Sequence, residues 1–124
     1  MRRLLPAVAE RPRIMGLIYD RRSGIVTHPV YLHAAATLAR EKGGIPSYTL
    51  MGWRQVPLRY RGERPPAPIS EWRPDLFDFD TMAPAYDHFL LRGATPEIVF
   101  GAHIGPDLRV AAHEGEWWLV RRVR

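Results

Sequence analysis

From Arg13 to Leu50 the chain follows an order that few folds other than an open α/β sheet accommodate. An apolar run, Ile14-Met15-Gly16-Leu17-Ile18-Tyr19, leads through a polar loop to an alanine-rich segment that stops at Gly43-Gly44, and a second apolar stretch runs from Ile45 to Leu50. This is the pattern of a β-α-β unit, in which two parallel strands are joined by a helix. The first run is nearly all apolar, as expected of a central strand buried on both faces, and Gly16 leaves room for another group to approach its backbone. Pro29 suits the first helical position, where its missing N–H costs nothing, and it holds His28 extended. The spacing therefore predicts a helix over 29–42, with Tyr31, Ala34, Ala35 and Leu38 as its apolar stripe. Gly43 or Gly44 supplies the left-handed residue that ends it, and Lys42 suits the negative end of its dipole.

The remaining segments fit the same class. Leu4, Leu5 and Val8 fall at helical spacing and predict a turn or two packed against the body. Residues 52–74 form a long Pro/Arg-rich loop with a short strand near Leu58 to Tyr60, anchored by Trp53, Tyr60, Trp72, Phe77 and Phe79. In Phe77-Asp78-Phe79-Asp80, alternation predicts a solvated edge with aromatics on one side and carboxylates on the other. Tyr86 to Leu91 reads as a strand, and Arg109 to His113 with Glu116 to Val120 as a hairpin turning at Glu114-Gly115. The expected fold is a single α/β domain over 1–124, a small mixed sheet of about four to five strands with one main helix (29–42) and a C-terminal β-hairpin. A chain of 124 residues can bury one adequate core without disulfides or metal.

Charge narrows the partners. The formal net charge is +5 and the pI about 10.2, yet only Lys42 among the 18 basic residues is a lysine, and no run reaches the five or six like charges of a binding tail. This reads as ordinary solvated charge, and no specific nucleic acid is expected. The absence of cysteine excludes disulfides, thiolate metal sites and cysteine nucleophiles. The apolar run near the start ends at Glu10, short for a signal-peptide core, and no stretch approaches the roughly 20 apolar residues of a membrane span.

Candidate sites are sparse. His28 and His33 are five apart and do not share a helix face, while His88, His103 and His113 lie in separate segments, so no metal is assigned. The carboxylates Asp75, Asp78, Asp80 and Asp87 lack the glycine and terminal glutamate of a calcium loop. No phosphate loop, dinucleotide fingerprint or serine elbow is present, and no cofactor or catalytic residue is assigned. Asp20, Arg21 and Arg22 sit just beyond the carboxyl end of the first strand, where open α/β sheets bind ligands, with the two arginines available to an anion. The plain alternative is a surface loop.

The order of segments resembles a known family. Arg13 to Tyr19, His28 to Ala36, Gly43-Gly44, Pro57-Leu58-Arg59-Tyr60, Trp72 with Phe77-Asp78, Tyr86 to Gly93 and Trp118 to Arg122 together resemble the soluble C-terminal tail of polytopic bacterial membrane proteins similar to dolichyl-phosphate-mannose-type glycosyltransferases. The resemblance spans about Leu4 to Arg122. It implies a noncatalytic accessory domain of a membrane-bound glycosyltransferase-like protein, partnered by the membrane-embedded region. The family's catalytic acids are expected between membrane helices, so none maps to this chain. The implied location is the extracytoplasmic face of the bacterial membrane if the chain belongs to a longer protein, and the cytoplasm if the 124 residues are complete. The alternative expectation is a stand-alone small-ligand or anion-binding α/β module centred on Asp20, Arg21 and Arg22.

Overall fold

In the computed structural model, residues 2–25, 31, 33–47, 69 and 71–123 are described. The apolar run becomes strand β1, Arg13–Ile18, buried at every position after Arg13. Helix α1, Ala34–Glu41, follows, and strand β2, Ile45–Pro46, returns parallel to β1. Short helix α2, Phe79–Met82, precedes strand β3, His88–Arg92. Short helix α3, Pro96–Phe100, leads to the closing strands β4, Leu108–Glu114, and β5, Trp117–Arg122. The sheet is mixed and five-stranded, in the order β2-β1-β3-β5-β4. β1 lies parallel to β3, β5 pairs antiparallel with β3, and β4 with β5. The α/β class, the mixed sheet and the C-terminal hairpin are thus as the sequence indicates.

The boundaries move for identifiable reasons. His33 has φ 67°, a left-handed conformation that cannot continue a right-handed helix, so α1 begins at Ala34 and not at Pro29, which lies outside the described residues. Its buried face is Ala34, Ala35, Leu38 and Ala39, and the three alanines let the helix lie close to the sheet. Its end is a Schellman motif. Gly43 has φ +64° and donates its N–H to the Arg40 carbonyl at 3.2 Å, while Gly44 N–H reaches the Ala39 carbonyl at 2.7 Å.

The hairpin pairs Glu114 with Trp117, so its two-residue loop is Gly115-Glu116, one residue later than the sequence reading. Gly115 has φ +59° and the non-glycine Glu116 does not share a positive φ, which is the type II′ pattern with glycine first. Phe77-Asp78-Phe79-Asp80 is not an alternating edge. Asp78 accepts the Thr81 N–H at 2.9 Å and caps α2, which Phe79 opens. The short strand expected near Leu58 to Tyr60, the anchors Trp53 and Tyr60, His28 and the extension of β2 to Leu50 lie outside the described residues.

Two apolar layers flank the sheet. On one face Ile14, Ile18, Leu90, Trp117 and Leu119 pack against α1 and against Leu4 and Val8, which flank a 3-10 turn at Leu5–Ala7. On the other face Met15, Leu17, Phe89, Leu91 and Val120 meet Tyr86, Phe100 and Leu108, with Phe77 and Phe79 in edge contact with Phe100 at 5.8 and 6.3 Å. Among the described residues, no helix is long and apolar enough to cross a membrane.

Candidate functional site

The strand order reverses at β1, because α1 carries the chain to β2 on one side while β3 lies on the other. Ligands in open α/β sheets favour the carboxyl ends of strands at such a reversal. Asp20, Arg21 and Arg22 follow β1 there. Asp20 is committed inside the protein: its Oδ1 accepts the Arg22 N–H at 3.1 Å, and its Oδ2 lies 3.3 Å from Arg92 Nη2. Gly93, at φ +78°, brings its backbone against the Asp20 main chain, leaving no room for a Cβ. Arg92 is nearly buried, stacks over Tyr31 with Cζ 3.7 Å from the ring centroid, and pairs with Glu116 at 2.9 Å. The carboxyl end is therefore filled by the protein's own arginine, held between two carboxylates and an aromatic ring. Arg21 and Arg22 remain exposed, with no ion pair among the described residues.

Beneath this end lies Glu71, fully buried. Its backbone carbonyl accepts the Ile18 N–H at 3.2 Å, and its Oε2 accepts the His33 N–H at 2.6 Å, while Oε1 has no partner among the described residues. Burial pushes its carboxyl up to about 7, partly opposed by the His33 hydrogen bond. The room for it is made by Gly16, where a Cβ would stand 3.0 Å from the Glu71 side chain. The close approach expected at Gly16 is this carboxyl group.

The opposite end of the sheet leaves its arginines without such partners. An open cavity of about 620 Å³ lies between the N-terminal segment and the sheet, lined by Ala9, Glu10, Arg11, Asp87, His88, Arg109, Arg121, Arg122 and Val123. Strand pairing aligns its floor: His88 on β3 faces Arg121 on β5, which faces Arg109 on β4. A shallower depression beside it, lined by Pro6, Ala7 and Val110 among others, shares Arg109 and Arg121. Two arginines directly opposite each other in a sheet repel. Arg11, Arg109 and Arg121 have no acidic partner among the described residues, whereas Glu10 is taken by Lys42 Nζ at 2.8 Å and Arg122 donates to the Pro84 carbonyl at 2.8 Å. His88 is 1% exposed, and neither ring nitrogen has a hydrogen-bond partner among the described residues. Burial lowers its pKa, Asp87 opposes that shift and Arg121 adds to it, so the ring is neutral near pH 7.

A register shift builds this row. From Glu114 to Ala112 the hairpin follows one register, and between Ala112 and Val110 a β-bulge moves it by one residue, placing Arg109 opposite Arg121 and not opposite Arg122. Reading the chain as a sequence misses Arg11, His88, Arg109 and Arg121 as a group because the bulge occurs in Val110-Ala111-Ala112, without a glycine to mark it. Among the described residues, no group of three His, Cys, Asp or Glu side chains is placed to hold a metal ion. Comparison with protein-family models, curated proteins and solved structures finds no match to this chain.

Proposed function

We propose that the chain is an anion-binding α/β module whose site is the arginine-lined cavity at the amino ends of β1 and β3, and not the Asp20 to Arg22 loop. The observation that carries this reading is the cross-strand pair Arg109 and Arg121, two cations held face to face at a cavity wall with no acid between them. Such a pair costs stability unless something anionic sits against it. At the other end of the sheet Arg92 is already neutralised by Asp20 and Glu116. The test is a titration of the isolated chain with sulfate, followed by amide chemical shifts. Shifts confined to 9–11, 87–88, 109 and 121–123, lost in Arg109→Ala with Arg121→Ala, are expected; shifts centred on Asp20 to Arg22 would move the site back to that loop.

The accessory role in a membrane-bound glycosyltransferase-like protein is a second reading, supported by the order of segments from Leu4 to Arg122. It adds a setting to the site and does not alter its chemistry. It predicts that native protein carrying this domain fractionates with membranes, and recovery solely as a soluble 14.3 kDa species would refute it.

A further inference from the structure

Resting on the anion-binding reading, we infer that the ligand is a phosphate monoester and that its binding draws one proton from solvent onto His88. Charge balance is the first argument. With Glu10 paired to Lys42, the lining sets Arg11, Arg109, Arg121 and Arg122 against Asp87 alone, a surplus of three positive charges that a dianion offsets better than a monoanion. A terminal phosphate carries nearly two negative charges at pH 7, with three acceptor oxygens, whereas a carboxylate or a phosphodiester carries one. Size is the second. A cavity of about 620 Å³ falls in the range that holds a small organic ligand and exceeds what a bare oxyanion fills. Ala9 and Val123 supply apolar wall for the organic part.

The third argument is His88, a buried imidazole in the cavity wall whose nitrogens find no partner among the described residues. Unpaired polar atoms of this kind are costly and rare in folded proteins. The charges that act on the ring are Asp87 on its own strand and Arg121 opposite it on β5; the same cavity is lined by Arg109 from β4, Arg122 from β5, and Glu10 and Arg11 from the N-terminal segment, while Arg13 of the neighbouring β1 donates its backbone N–H to Asp87. Burial first, and Arg121 after it, hold the ring neutral against the opposing pull of Asp87. A phosphate dianion against Arg121 and Arg109 cancels the cationic field on the buried ring beside them, which favours its charged form, and the ring takes the proton from water. No covalent bond to the ligand forms or breaks.

The experiment is calorimetric titration of the whole chain with phenyl phosphate between pH 7.0 and 8.5, in buffers of different ionisation enthalpy. The expected result is uptake approaching one proton per ligand and an affinity that falls by up to about tenfold per pH unit. His88→Gln should bind with no uptake and a flat pH profile; should that variant fail to fold, the wild-type profile decides alone. Binding with no net proton and no pH dependence overturns the protonation step. Acetate binding as tightly as phenyl phosphate overturns the assignment of ligand class. Failure of phenyl phosphate, inorganic phosphate and sulfate to bind at all overturns instead the anion-binding reading beneath it. Glycerol 3-phosphate and phosphatidylcholine vesicles containing phosphatidic acid separate the sources. Vesicle retention lost in Arg121→Ala identifies a lipid headgroup, and binding of the soluble ester without vesicle retention identifies a metabolite.

Discussion

Glu71→Gln isolates the energetics of the buried carboxyl group. In the folded chain Glu71 is held up to about 7, against 4.5 for the free side chain, because burial penalises its charged form more than the His33 N–H rewards it. The folded protein therefore keeps a proton that the unfolded chain has already released between those two values. Stability from this group is complete below 4.5 and is lost as pH rises through 7. A difference of 2.5 pH units corresponds to about 3 kcal/mol, of which about 2.5 kcal/mol falls between pH 5 and pH 8. Glutamine can place its one amide oxygen where the Glu71 Oε2 accepts the His33 N–H, and it cannot ionise. Urea unfolding of both proteins at pH 5, 6, 7 and 8 gives two profiles whose difference removes every other titrating group. The variant should lie within about 1 kcal/mol of the wild type at pH 5 and be more stable than it by about 2 kcal/mol at pH 8. Profiles that run parallel across this range would refute the argument, since they would mean that Glu71 titrates alike in the folded and unfolded chains.

Four further outcomes are expected. Gly16→Ala should destabilise by about 1–3 kcal/mol, because its Cβ presses on the Glu71 side chain, and much of that loss should vanish in Gly16→Ala combined with Glu71→Ala. Gly93→Ala should cost about 1–3 kcal/mol from its positive φ, and more from collision with the Asp20 backbone, measured by thermal unfolding. Arg109→Glu should stabilise the domain by about 0.2–1 kcal/mol by facing Arg121 with an opposite charge, while abolishing anion binding; destabilisation would contradict the repulsion argued for that pair. Phe89→Ala should cost about 3–5 kcal/mol, since the ring is fully buried against Phe77, Tyr86 and Phe100.

What could be read from the sequence follows from which interactions are local. The apolar run at Ile14 to Tyr19, the alanine stripe of α1 and the Gly43-Gly44 stop are written in neighbouring residues, and they appear where the pattern puts them. The start of α1 does not, because the backbone at His33 is shaped by a hydrogen bond to Glu71, 38 residues away. Phe77 and Phe79 invite a strand reading by alternation, but Asp78 caps a helix and both rings turn into one core. A general rule about strand ends points to the loop of Asp20, Arg21 and Arg22. Its Asp20 also accepts from Arg92, a partner 72 residues away that spacing does not reveal.

The arginine row shows the same limit and suggests why it is there. Arg121 sits among terminal arginines that composition reads as solvated charge, and Arg109 belongs to a strand with no acidic neighbour in register. A straight hairpin continued from Glu114 and Trp117 would set Arg109 against Arg122, leaving Arg121 opposite Val110. The bulge costs ladder regularity and exchanges Arg122 for Arg121 as the partner of Arg109; either register faces Arg109 with an arginine, but only the bulged one sets the pair on the strand position next to His88. The same register brings His88 beside that pair in a wall where its nitrogens lack partners. Three locally unfavourable features converge on one cavity, and a single bound dianion would answer all three: it screens the arginines from each other, favours the charged form of the buried imidazole and gives the bulge a purpose.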